Sequence, residues 1–153
     1  MLIKRAIAEH VYMNTSGASK TDSVYGIHMV YQLLDKLIEE PYIYIVEGPF
    51  DVLKMWQNGY PAVGIMQASI SENQINLINK LPFQKVVIAT DNDDAGKAVA
   101  KKLADKLGKT KEVYRLVYPL GVKDPGDIKP QDYRKLEVVE FYGKKDRHSF
   151  SIY

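Results

Sequence analysis

Three short segments place carboxylates beside glycine or proline: Glu47-Gly48-Pro49-Phe50-Asp51, Asp91-Asn92-Asp93-Asp94 and Asp124-Pro125-Gly126-Asp127. Asp91 and Asp93, two apart on an extended segment, point the same way and can share one ion or hold two. Hard oxygen donors of this kind suit Mg²⁺, which usually binds through one or two carboxylates plus waters and substrate phosphates. Glu47 can act as a third ligand or as a general base. Crowded like charges raise one another's pKa, so such a group holds a proton or a cation at neutral pH. A divalent ion captured there can clamp a triphosphate or a phosphodiester during in-line transfer. Each segment alone also has an ordinary reading: a strand-ending turn at Glu47-Gly48-Pro49, a helix cap at Asp91–Asp94, a turn at Asp124–Asp127.

The elements that must position these acids alternate in type. Tyr42–Val46, Ala62–Met66, Lys85–Thr90 and Glu112–Tyr118 are short β-branched and aromatic runs that predict strands, the first an unbroken apolar run suited to a strand covered on both faces. Between them, Asp51–Gln57, Ser71 to about Lys80 and Ala95–Leu107 predict helices. Ser71 and Gln74 have capping-box spacing. In the last helix, Ala95, Ala98, Val99, Leu103 and Leu107 are expected on the inward face, with Lys97, Lys101 and Lys102 toward water. Ile27, Val30, Tyr31, Leu34, Leu37 and Ile38 recur at helical spacing before Pro41. Strand–helix alternation predicts right-handed βαβ units and a parallel sheet between helices. In such a sheet ligands bind beyond the carboxyl ends of the strands, and all three acidic segments follow predicted strands. Met1–Met13 is expected to form a short helix, Asn14–Ser19 a loop, residues 119–130 a structured loop, and Val138–Tyr142 an edge strand.

At these residues the sequence resembles the Toprim family, the metal-binding domain of bacterial-type primases, type IA and II topoisomerases and several nucleases. The fuller resemblance is to bacterial and phage primases of the DnaG type. Their V-E-G-x-x-D block is similar to Val46-Glu47-Gly48-Pro49-Phe50-Asp51, their D-x-D-x-A-G block to Asp91-Asn92-Asp93-Asp94-Ala95-Gly96, and their third block to Lys123-Asp124-Pro125-Gly126-Asp127. Gly126 stands where those primases usually carry Asp. Val24-Tyr25-Gly26-Ile27 looks like the element that precedes the Toprim block. The resemblance implies an α/β, Rossmann-like Toprim fold with about four parallel strands flanked by helices. It implies a Toprim domain over residues 26–130, an N-terminal extension over 1–25 that is a remnant of the primase core, and a C-terminal appendage or edge element over 131–153. It also implies roles: Glu47, Asp91 and Asp93 catalytic and metal-binding, Asp124 and Asp127 at the metal rim, and Asp51 a supporting acid. The cofactor would be Mg²⁺, with Mn²⁺ as a substitute.

The implied activity is RNA primer synthesis on single-stranded DNA from nucleoside triphosphates, by a DNA primase-like nucleotidyltransferase that is part of a larger or split primase. A replicative helicase or another primase subunit would be the partner. Two alternatives remain: a small Toprim nuclease that hydrolyses phosphodiesters, and a non-catalytic replication accessory module. Zero cysteines and three scattered histidines exclude a disulfide framework and a thiolate zinc site. The formal net charge of +2 leaves any nucleic-acid contact to local charge. Seven basic residues against two acidic ones lie between Lys97 and Arg115. Lys20, Lys97, Lys101 and Lys123 are candidate nucleic-acid or phosphate contacts, with Lys4, Arg5, His10 and the tail Lys144–His148 as weaker ones. No apolar run is long enough to span a bilayer, so a cytoplasmic protein without a membrane partner is expected.

Overall fold

The computed structural model describes residues 3–5, 12–14, 19–37 and 39–142. The alternating apolar runs form the strands expected of them: β3 (Tyr42–Val46), β4 (Ala62–Gly64), β5 (Lys85–Ile88) and β6 (Glu112–Val117). Between them lie α2 (Pro49–Gln57), α3 (Glu72–Asn79) and α4 (Asp94–Leu107). The strands assemble in the order β4-β3-β5-β6, all parallel, and β7 (Glu137–Glu140) adds antiparallel to β6. The sheet is therefore four parallel strands with one antiparallel edge strand.

Strand alternation divides the core. Ile43, Ile45, Val86 and Ile88 face Ile75, Ile78, Val99, Leu103 and Leu107 from α3 and α4. Tyr44, Val46, Val87 and Ala89 face Val52 and Met55 of α2, with Ile128 and Tyr133 from the chain after β6. Removing such side chains from water contributes about 1.5–3 kcal/mol each. No helix among the described residues is long and apolar enough to cross a membrane.

Several expectations are corrected. In place of a helix over residues 1–13, β1 (Ile3–Arg5) pairs antiparallel with β2 (Tyr12–Asn14). Local periodicity cannot report a ladder that forms between separated segments. His10 and the tail Lys144–His148 lie outside the described residues. The helix expected from Ile27 stops early: α1 spans Ile27–Gln32, and a 3₁₀ turn follows at Leu34–Lys36. Tyr31 is exposed while Val30 and Leu37 are buried. In α4 the inward stripe is Gly96, Val99, Leu103, Ala104 and Leu107, and Ala95 and Ala98 are exposed. Alanine suits either side of a helix, so it marks the inward face poorly.

Two details bind the segment before β3 to the sheet. Tyr25 exchanges both backbone hydrogen bonds with Gly64 at the β4 edge, at 2.8 and 2.9 Å. Gly26 follows with φ +79, and a Cβ there would stand 2.9 Å from Val52 Cγ1. Ser71 Oγ donates to the Thr21 carbonyl and Asn73 Nδ2 to Asp22 Oδ1, and the fully buried Gln74 adds more. Its Nε2 donates to the carbonyls of Lys20, Ser23 and Ile65, and its Oε1 accepts from Ser71 N and Gln67 Nε2.

Gln74→Ala strands these carbonyls and opens a void. The expected cost is about 3 kcal/mol, read as a lower urea midpoint with an unchanged m-value.

Candidate active site

The strand order reverses direction at β3. The chain leaves β3 through α2 toward β4, then returns through α3 to place β5 on the other side. The loops after β3 and β5 therefore diverge and open a crevice at the carboxyl end of the sheet. Glu47 begins the first of these loops, and Asp91 and Asp93 lie in the second.

Backbone amides hold the acids in place. Glu47 Oε1 accepts the Asp91 N–H at 3.0 Å, which ties the two loops together. The Glu47 carbonyl accepts from Met66 N, whose residue adopts a left-handed φ of 64° just past β4. Asp51, in the first turn of α2, accepts Gly48 N–H on Oδ2 at 3.2 Å and Gly126 N–H on Oδ1 at 3.1 Å. It thereby links the first and third acidic segments across the crevice. Asp93 is the N-cap of α4 and accepts Gly96 N–H on Oδ1 at 2.7 Å. The helix-cap reading and the ligand reading of Asp93 are compatible, because a carboxylate has about four lone-pair sites. Thr90 donates its hydroxyl to the Gly96 carbonyl, Tyr118 donates to the Thr90 carbonyl, and Asn92 N–H donates to the Lys123 carbonyl at 2.6 Å. Gly96 leaves no room for a side chain: a Cβ there would sit 2.0 Å from the Asp91 carbonyl oxygen.

This placement is electrostatically costly. The Asp91 carboxyl is pushed up to about 7, first by burial and then by the charges of Glu47, Asp51, Asp124 and Asp93. Asp51 is pushed up to about 6 by burial and by Asp124, against the pull of the Gly48 and Gly126 amides. Burial first, and these acids second, raise the Tyr118 hydroxyl. Among the described residues no lysine or arginine forms an ion pair with any of these acids, and the Asp91 carboxylate accepts no hydrogen bond. Nor do any three of the described acids and histidines gather tightly enough to enclose an ion. The donors present are all carboxylate oxygens, which by their chemistry suit a hard cation such as Mg²⁺, usually held by one or two carboxylates and completed by water and substrate oxygens.

A sequence profile described as Toprim-like matches residues 44–128, a span that begins inside β3 and contains all three acidic segments. The chain belongs to the Toprim-like family. Its Toprim domain is of the kind found in DnaG-type primases. It is 33% identical over 129 residues to the DNA primase of Aquifex aeolicus, covering 83% of this chain and 23% of that protein. It is 30% identical over 115 residues to a Mycoplasma genitalium protein named only as uncharacterized, covering 72% of this chain and 49% of that one. The crystal structure of the zinc-binding and RNA polymerase domains of the Aquifex aeolicus primase superposes with a TM-score of 0.67 at 26% identity, over 88% of this chain and 36% of that one. The chain thus spans a quarter to a half of the length of these curated relatives.

Within the Toprim domain the candidate residues separate. Glu47, Asp51, Asp91, Asp93 and Asp124 act on one another electrostatically. Asp127 is exposed and contributes its amide, which donates to Asp124 Oδ1 at 3.0 Å. Lys123 crosses the Asp91–Asp93 loop with its carbonyl, while Lys101 and Lys20 are exposed on α4 and on the 3₁₀ turn Lys20–Asp22. Sequence reasoning did not single out Tyr118, Thr90 or the Gly126 amide. Two of these act through hydroxyl-to-carbonyl contacts and the third through a main-chain donor, none of which leaves a compositional trace.

Gly96→Ala tests the packing of this loop. Helix propensity alone predicts a gain of about 1 kcal/mol. The clash with Asp91 predicts a loss of about 2–3 kcal/mol in chemical denaturation. A second expectation concerns pH. A carboxyl raised from 3.8 to about 7 favours its proton in the folded chain, so its contribution to stability is complete below the ordinary value and is lost as pH rises through about 7. Without divalent cations at pH 8, Asp91→Asn should melt about 2–4 °C above the parent, for about 1 kcal/mol after allowance for solvent screening. The difference should close near pH 3.5; equal melting at pH 8 would contradict the assignment.

Proposed function

We propose that this Toprim domain carries the metal-dependent chemistry of a primase-type nucleotidyltransferase, acting with the template-gripping parts of a larger or split enzyme. The observation that carries the reading is a set of carboxylates brought from three loops to one crevice, without a basic partner among the described residues and with Asp91 pushed up to about 7. Such a group lowers its energy by capturing a divalent cation. Asp91 and Asp93 are the proposed ligands, Asp124 stands at the rim, and Asp51 keeps the first and third segments together. Bound Mg²⁺ would neutralise charge on the phosphates of a nucleoside triphosphate.

The reaction joins a 3′-hydroxyl to the α-phosphorus. The new O–P bond forms as the bond to the β-phosphate oxygen breaks, and pyrophosphate leaves. Glu47 keeps Oε2 clear of the Asp91 amide, and this oxygen takes the hydroxyl proton directly or through water. The template is single-stranded DNA and the substrates are ribonucleoside triphosphates. The primase names of the relatives support this choice, as does the order of the three acidic segments.

Calorimetric titration with Mg²⁺ should show affinity lowered at least about tenfold in Asp91→Asn and in Asp93→Asn, a change of about 1.4 kcal/mol. Template-directed extension on single-stranded DNA, assayed with the template-gripping parts of the enzyme present, should vanish in both variants while the fold, read by circular dichroism, persists. Cleavage of labelled nucleic acid with Mg²⁺ and no nucleotides would instead make the chain a nuclease. Unchanged Mg²⁺ affinity in both variants would refute the ligand assignment.

A further inference from the structure

A second feature opens beside Asp91, on the α4 side of the sheet. It is a cleft of about 280 Å³ whose lining includes Asp91, Asn92, Lys97, Arg115, Tyr118 and Phe141. Lys97 comes from the first turns of α4 and Arg115 from β6. The two cations are 18 positions apart in the sequence, yet they face one space. Both are exposed, and among the described residues neither side chain forms an ion pair or donates a hydrogen bond. A cleft lined both by two cations whose side chains lack partners and by a carboxylate of the acidic set suits an anion that also carries a metal. Ligand pockets for whole small molecules run from about 300 to 1,000 Å³; this cleft stands at the small end of that range, with room for the phosphates of a nucleotide.

We infer that the Lys97–Arg115 cleft is a polyphosphate subsite, holding the terminal phosphates of a nucleoside triphosphate beside Asp91. The inference rests on the proposed metal site and adds to it the groups that take the far end of the substrate. Arg115 presents a planar fork of donors that suits phosphate oxygens, and Lys97 supplies a compact charge at the amide-rich end of a helix. Asn92, also in the lining, already donates from Nδ2 to the Val122 carbonyl at 3.3 Å and has its second amide hydrogen to offer. Lys101, exposed on the same helix, does not line the cleft. A single-stranded DNA backbone is the competing occupant of any basic surface, but it asks for an extended track rather than a cleft this small.

The test is calorimetry with inorganic triphosphate and Mg²⁺ on the parent chain, Lys97→Ala, Arg115→Ala, Arg115→Lys and Lys101→Ala. Loss of one charge-assisted contact should weaken triphosphate binding by about tenfold in each alanine variant. Arg115→Lys should recover part of the loss, and Lys101→Ala should bind like the parent. Parent-like binding in both Lys97→Ala and Arg115→Ala overturns the subsite. So does a pattern in which both lose affinity for a single-stranded oligonucleotide but not for triphosphate. Titration with Mg²⁺ alone reads the acids separately. If Asp91→Asn lowers Mg²⁺ affinity while the two alanine variants bind triphosphate normally, only the subsite fails. If Asp91→Asn leaves Mg²⁺ binding intact while Lys97→Ala and Arg115→Ala weaken triphosphate binding, the metal reading fails and the subsite stands.

Discussion

Repulsion among carboxylates at the carboxyl end of the sheet is the constraint that organises this molecule. Asp91 is partly removed from water and faces the charges of Glu47, Asp51, Asp124 and Asp93. Left free, such side chains would swing apart into solvent. Here β3 and β5 fix the backbone, and main-chain amides occupy oxygens of the acids around Asp91: Asp91 N on Glu47, Gly48 N and Gly126 N on Asp51, Gly96 N on Asp93. The stability of the central strands keeps the acids close, and the cost remains as a standing affinity for protons or cations.

This arrangement explains why glycines recur beside the acids. A Cβ at Gly96 would meet the Asp91 carbonyl at 2.0 Å, and one at Gly126 would come within 3.0 Å of Asp124 Oδ1 and 3.1 Å of Asp51 Oδ1. Main chain must approach main chain closely where an amide serves as counter-charge, because an amide partly offsets negative charge without filling the space as a lysine would. A lysine in that position would also satisfy the acids permanently and compete with any incoming cation. The site is thus held by neutral dipoles, while full positive charges stand to one side at Lys97 and Arg115.

The far side of the Toprim domain does different work. Tyr42, Tyr44, Tyr60, Tyr114 and Tyr133 meet edge-on or tilted along the α2 face, with ring centroids 5.3–6.4 Å apart. Tyr133 donates to the Pro125 carbonyl at 2.8 Å, so this aromatic layer also steadies the loop that carries Asp124. Core packing and site geometry are coupled there through a single residue.

Much of this was legible in the chain. The βαβ alternation, the Ser71–Gln74 capping box, the placement of all three acidic segments after strands and the Toprim resemblance follow from residue type and short-range spacing, because each is a local preference or a period. The antiparallel place of β7, the early stop of α1 and the β1–β2 pairing were not legible, because they depend on which distant backbone completes a ladder. The same holds at the site. Sequence alone determined which residues carry negative charge and that strand ends would present them together. Only the tertiary structure decided that Asp124 rather than Asp127 joins the mutually repelling set, that Asp51 spends both oxygens on amides, and that Lys97 and Arg115 share a cleft. Those outcomes turn on distances of a few ångströms between segments tens of residues apart, and electrostatic and steric energies at that range change sign within the scatter that any local pattern allows.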